Sequence, residues 1–237
     1  DNYALAKNKY GLWIIEKYNS EFRPYFLGLT QTVYLPDFYG KDQKFLQNNH
    51  FVMNGTLVDI QRLSRIPMLP KYEVVKDGVQ FSISLNDIKK DSDRDGFNDL
   101  FENFIGLNPS SADTDGDGIA DFIDSNPKYK SGTDKFTAMY ETLVDHPKTI
   151  AQYSFVEILT NCEYFQALNP KNIKVLVYDT TEKAPLKEDV LDHFFPGKYS
   201  KIKTYKDYPE VYFTDFSDDS GDGTLSAEFL NGKWKFD

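Results

Sequence analysis

The sequence predicts an α+β protein in three parts: a β-rich N-terminal domain over residues 1–87, an acidic two-loop linker over 88–130, and an α+β domain over 131–237 ending in an antiparallel meander. Three observations predict it. Short apolar runs separated by turn residues dominate the first part. Ten carboxylates crowd into residues 91–124 with one base, Arg94. The last part mixes a helical spacing with β-branched runs.

In the first part, Gly11–Lys17 and Phe22–Leu29 read as strands joined by a polar turn at Tyr18–Glu21. Phe51–Ile60 is a further apolar run, interrupted by Asn54-Gly55 as a tight turn or a bulge. Tyr72–Val75 and Val79–Leu85 flank Lys76-Asp77-Gly78, a hairpin signal, and Val79, Phe81, Ile83 and Leu85 alternate as one buried face. In the last part, Lys135–Val144 has helical spacing with Asp134 as its cap. Ser154–Leu159 and Ile173–Tyr178 read as inner strands, and Lys187–Phe195 as a short helix. Val211–Phe216, Thr224–Leu230 and Lys233–Phe236 read as strands, the last two joined at Asn231-Gly232.

Composition limits the function classes. The chain of 237 residues is 40% hydrophobic and 16% aromatic, enough for a core, which excludes wholesale disorder. Its 27 basic residues against 37 acidic ones give a net charge of −10, the wrong sign for a phosphate backbone, so no nucleic-acid partner is expected. No apolar run approaches the ~18–20 residues of a membrane span. No charged and then apolar leader opens the chain at Asp1, so a signal peptide is expected to be absent or removed, and a lipid anchor upstream stays compatible with the sequence. The lone Cys162 excludes an intrachain disulfide and reads as a buried structural thiol. His50, His146 and His193 read as surface or packed residues.

The charge imbalance has a pattern. Outside residues 91–124 the remaining 26 bases and 27 acids nearly balance. Inside, Asp91, Asp93, Asp95, Asp99 and Glu102 stand at positions 1, 3, 5, 9 and 12 of a window with Gly96 at 6, the spacing of a loop that wraps Ca²⁺ with six to eight oxygens. Asp113, Asp115, Asp117, Asp121 and Asp124 repeat it 22 residues later, with Gly118 at 6. Gly at 6 serves the sharp turn. Position 7 (Phe97, Ile119) offers only its backbone oxygen, which frees an apolar side chain for a core. From the chain's own frequencies one such window is expected about 0.001 times by chance (an independence estimate against average composition). No array of nearby Lys or Arg in the sequence could pair five carboxylates per loop.

DSDRDGFNDLFE followed by LNPSSADTDGDGIADFIDSNP resembles tandem thrombospondin type-3 repeats and is similar to the EF-hand and dockerin loop. The likeness covers residues 88–127. It implies two structural Ca²⁺ ions in an extracytoplasmic protein of a bacterium, whether periplasmic, cell-surface or secreted. One shell is Asp91, Asp93, Asp95, the Phe97 backbone oxygen, Asp99 and Glu102. The other is Asp113, Asp115, Asp117, the Ile119 backbone oxygen, Asp121 and Asp124, with the position-9 residues acting through water. The cysteines of thrombospondin repeats are missing here, and Asp124 closes the second loop with a shorter side chain than Glu. Phe101 and Phe104 are expected to pack on Ile119, Phe122 and Ile123 as a shared miniature core, with Gly106 as a helix stop. Asp218–Gly223 imitates a third loop but puts Phe229 at position 12, and reads as a strand connection.

The resulting expectation is a calcium-binding protein of the cell envelope, non-catalytic, whose repeats rigidify the link between two small domains in binding or adhesion to an unidentified protein or glycan. The alternative is a secreted hydrolase with structural calcium. No H-E-x-x-H, G-x-S-x-G, P-loop or G-x-G-x-x-G motif assigns a catalytic residue. A calcium sensor is disfavoured, since only three Met are available for an exposed groove.

Overall fold

A computed structural model describes residues 2–30, 34–36, 44–62, 71–144, 155–182, 198–218 and 221–236. The chain divides into two compact units, one ending at Ser111 and the next starting at Ala112. Each acidic loop therefore belongs to a different unit.

The first unit is built on β1 (Tyr3–Asn8), β2 (Gly11–Tyr18) and β3 (Glu21–Phe26), an antiparallel sheet in the order 1-2-3. Asn19, at φ 55, makes the β2–β3 turn. Gly11 is required at its position: its φ is 130, and a Cβ there would lie 2.1 Å from the Leu29 carbonyl oxygen, which accepts from Leu12 N. A second sheet holds β4 (Tyr34–Pro36), β5 (Leu46–Gln47), β6 (His50–Arg62) and β7 (Lys71–Ser84), with β6 paired to all the others. The expected hairpin at Lys76-Asp77-Gly78 is instead a bulge inside β7. The register moves from Gly55↔Val79 to Leu57↔Lys76, Gly78 takes φ 62, and Thr56 Oγ1 donates to Asp77 Oδ1 at 2.6 Å. Asn54-Gly55 likewise stays within β6. The core joins Leu12, Ile14, Leu27, Phe51, Met53, Leu85 and Ile88. Two short helices close the unit, α1 (Leu85–Ile88) and α2 (Asp99–Ile105).

The second unit contains α3 (Lys135–Val144), with Asp134 Oδ1 accepting from Phe136 N at 2.7 Å. β8 (Val156–Leu159) and β9 (Val175–Tyr178) pair in parallel, linked through α4 (Glu163–Gln166). All four residues of β9 are buried, as its unbroken apolar run demands. β10 (Lys198–Tyr199), β11 (Lys203–Tyr205), β12 (Tyr208–Asp218), β13 (Gly221–Leu230) and β14 (Lys233–Phe236) form an antiparallel sheet in which 12, 13 and 14 follow one another. Met139, Tyr140, Ile158, Phe165, Val175, Val177 and Ala227 make its core.

The α+β class is corrected: among the described residues the protein is β-rich, with fourteen strands against four short helices, in several small sheets. The four helices among the described residues have 4, 7, 10 and 4 residues. Only α3 is long enough to stripe one face. The strands meanwhile run past their apolar stretches, because ladder pairing carries polar residues such as Asp77, Asp218 and Asp222 along. The helix expected at Lys187–Phe195 lies outside the described residues, as do His146 and His193. Cys162 is free and half-buried rather than buried, at the N-cap of α4. His50 is exposed.

Candidate metal-binding loops

Both loops fold by turning short carboxylates back onto their own backbone. In the first, Asp91 Oδ1 accepts from Arg94 N at 2.7 Å, Asp93 Oδ1 from Asp95 N at 3.2 Å, and Asp95 Oδ1 from Phe97 N at 2.7 Å. In the second, Asp113 Oδ1 accepts from Gly116 N at 2.7 Å, Asp115 Oδ1 from Asp117 N at 2.9 Å, and Asp117 Oδ1 from Ile119 N at 2.9 Å. The left-handed backbone positions match as well, at Arg94 and Gly96 (φ 66 and 117) and at Gly116 and Gly118 (φ 73 and 97). The repeat seen in the sequence is thus a repeat of conformation.

This folding draws the side chains together. One carboxylate oxygen each of Asp91, Asp93 and Asp95 lies within 4.8 Å of the others, and the same holds for Asp113, Asp115 and Asp117. Glu102, wholly buried on the first turn of α2, brings an oxygen within 4.8 Å of Asp95. Asp124, only 2% exposed, faces the charges of Asp117 and Asp121. Phe97 sends its ring into the core against Phe101, 5.3 Å between centroids, and leaves its backbone with the loop. Ile119 is half-buried.

Asp99 and Asp121 brace the loops. Ser92 donates from N at 2.7 Å and Oγ at 2.8 Å to the two oxygens of Asp99, and Thr114 does so from N at 2.9 Å and Oγ1 at 2.6 Å to Asp121. Their own amides donate to the carbonyls of Lys90 and Ala112. The hydroxyl residue at position 2 of each window was open to view in the sequence and its role was missed. Two buried asparagines were missed too. Asn98 Nδ2 donates to the carbonyls of Phe26 (2.9 Å) and Ile88 (2.8 Å), tying the first loop to β3 and α1. Asn126 N donates to Asp124 Oδ1 at 2.9 Å, and its Nδ2 donates to the carbonyls of Gln166 and Leu168, tying the second loop to α4.

One expectation is corrected in part. Ile123, expected in a miniature core with Phe101 and Phe104, is 66% exposed; within the first unit Phe101 and Phe104 pack on Tyr10 and Phe26, and Phe101 also on Trp13. Single ammonium groups, not an array, stand near the loops. Lys90 Nζ stands 2.8 Å from Asp99 Oδ2, and Lys174, fifty residues from the second loop, donates to the Phe122 carbonyl. In the third candidate, Asp218–Gly223, Asp218 at the end of β12 pairs with Gly221 at the start of β13, and residues 219–220 lie outside the described residues.

The electrostatics are those of oxygens gathered without enough hydrogen to satisfy them. Asp93 Oδ2, Asp115 Oδ2 and Asp124 Oδ2 are buried and accept no hydrogen bond from the described residues. Burial, then the charges of Asp117 and Asp124, pushes Asp115 up to about 6. Burial, then Asp117 and Asp121, pushes Asp124 up to about 6, with Lys174 pulling the other way. Burial also raises Asp91. Burial opposes ionisation of Asp99, yet Lys90 and Ser92 hold it below the usual carboxylate range. A buried, unpaired acceptor costs about 1–3 kcal/mol, more if charged. A hard divalent cation removes that cost by taking several such oxygens at once. The donor set is all oxygen, which fits Ca²⁺ or Mg²⁺ and not a thiophilic metal.

No family model, curated protein or solved structure matches this chain. Its reading rests on its own residues.

Proposed function

We propose that this is a calcium-dependent structural protein of an extracytoplasmic compartment, each acidic loop closing on one Ca²⁺, with a non-catalytic role in binding or adhesion. Asp91, Asp93, Asp95 and Glu102 would hold the first ion with the Phe97 carbonyl. Asp113, Asp115, Asp117 and Asp124 would hold the second with the Ile119 carbonyl. When bound, the ions supply the positive charge that the crowded carboxylates lack. The carrying observation is the trio of buried oxygens on Asp93, Asp115 and Asp124, placed in two loops of the same conformation. The motif's resemblance to thrombospondin type-3 repeats supports the same ion.

The preference for an outer compartment follows from occupancy. At ~1 mM external calcium and a Kd of ~10⁻⁵–10⁻⁴ M, each ion stabilises the folded form by ~1.4–2.7 kcal/mol. At cytosolic calcium the sites would stand mostly empty. Calorimetric titration of the full chain tests the reading. Two ions should bind, Asp93→Ala should remove one and Asp115→Ala the other. Absence of binding at millimolar calcium, or unchanged stoichiometry in both variants, overturns it.

A further inference from the structure

The second loop has a neighbour that the 22-residue repeat does not carry. Lys174, just ahead of β9, donates its ammonium to the carbonyl of Phe122, at position 10 of the loop, and lies 5.8 Å from the Phe122 ring and 5.6 Å from that of Phe155. The segment is fixed from both sides: Val156 N donates to the Lys174 carbonyl at 2.8 Å, and Val175 N to the Ser125 carbonyl at 2.7 Å. Lys174 is therefore anchored on either side of the closing residue, at Phe122 and next to Ser125, and its charge acts on Asp124, which is 2% exposed and has one oxygen on Asn126 N and the other, Oδ2, with no hydrogen bond from the described residues.

The first loop is built differently. Its position 10 is Leu100, and its nearby ammonium, Lys90, goes to Asp99, the brace, not to the closing Glu102. Lys90 is also 63% exposed, so solvent and salt screen it. Lys174 acts on a buried carboxylate, where charges are screened little.

Building on the reading that both loops hold Ca²⁺, we propose that Lys174 is the internal counter-cation of the second loop. It offsets the charge of Asp124 while the loop is empty and repels the ion that enters, so the second site is the weaker of the two and empties first. The two cations compete for one field of carboxylates, and the affinity of the site is set by that competition. Asp124, one methylene shorter than Glu102, works in the same direction.

The test uses the full chain with calcium as the titrant. Two-site calorimetry gives the constants, and the Gly96 and Gly118 amide resonances tell which loop fills. Lys174→Gln keeps a donor for the Phe122 carbonyl and removes only the charge. It should tighten the second site at least fivefold, leave the first within twofold, and lower the melting temperature in chelator. Lys174→Arg should match the wild type. Two ions bound by the wild type with a second site unchanged or weakened in Lys174→Gln overturns the role of Lys174 alone. A wild type that binds no ion overturns this inference together with the reading beneath it.

Discussion

At Asn98, the residue that precedes α2, a buried side-chain amide joins two other elements: it donates to the carbonyls of Ile88 in α1 and Phe26 in β3, and accepts from Phe26 N at 3.3 Å. Side-chain exposure is slight, 4% for the residue. Removing the amide leaves the carbonyls of Phe26 and Ile88 unsatisfied in the interior, so Asn98→Ala should cost about 2–3 kcal/mol. Because the loop's carboxylates are not touched, the number of calcium ions bound should stay the same. Denaturant unfolding in saturating calcium checks the first expectation, and calorimetry the second. Asn126→Ala should behave alike in the second unit, through Gln166 and Leu168. A carboxylate variant such as Asp93→Ala should differ by losing an ion.

At the scale of the loop the raised carboxylates give a pH dependence with a definite sign. Asp115 and Asp124 titrate near 6 when folded, against an ordinary value of 3.8, so the empty folded state binds more protons than the unfolded chain between about pH 4 and 6. Stability of the calcium-free protein should therefore rise as pH falls from 7 toward 5. Below about pH 4 it should fall again, as Asp99 and Asp113, held low by Ser92 and Lys90 and by backbone amides, take up protons. With calcium the upper limb should invert, since the ion requires the ionised carboxylates and protons compete with it. Thermal melts from pH 4 to 7.5, in chelator and in 5 mM calcium, separate the two cases. The loop was also the most legible element. Its turns are made by carboxylates bonding to amides two or three residues on, so the sequence shows Asp91 to Asp124 in register without any tertiary information. The same holds for α3 and for the Asn231-Gly232 turn between β13 and β14, which are local in origin. What stayed hidden is non-local. The Lys76-Asp77-Gly78 bulge looks like a hairpin turn until Thr56 is seen across the ladder. Lys174 has no signal at all, being brought to Asp124 by β9. The β-rich class was missed because an apolar run marks the buried stretch of a strand and not the length over which it pairs.

On the scale of the whole molecule, the division after Ser111 places each acidic loop in its own unit, so on the proposed reading each ion would have its own unit to hold. The first loop ties into β3 and α1 through Asn98, the second into α4 and β9 through Asn126 and Ser125. Calcium removal should thus loosen both units, and the single-site variants should loosen one each. On the proposed reading, two ions would together contribute ~3–5 kcal/mol at millimolar calcium, a large share of the ~5–15 kcal/mol of an ordinary fold. For chains of this size each kcal/mol moves the melting temperature by about 2–4 °C, so chelation should lower it by roughly 6–20 °C. Hydrogen exchange locates the effect. In Asp93→Ala the amides of Leu27 and Phe101 should lose protection while that of Val175 keeps it. In Asp115→Ala the pattern should reverse, with Val175 and Ala167 exchanging faster and Leu27 unchanged. Uniform loss across both units in either variant would mean that the two loops stabilise one cooperative body, and the assignment of one ion to each unit would fall.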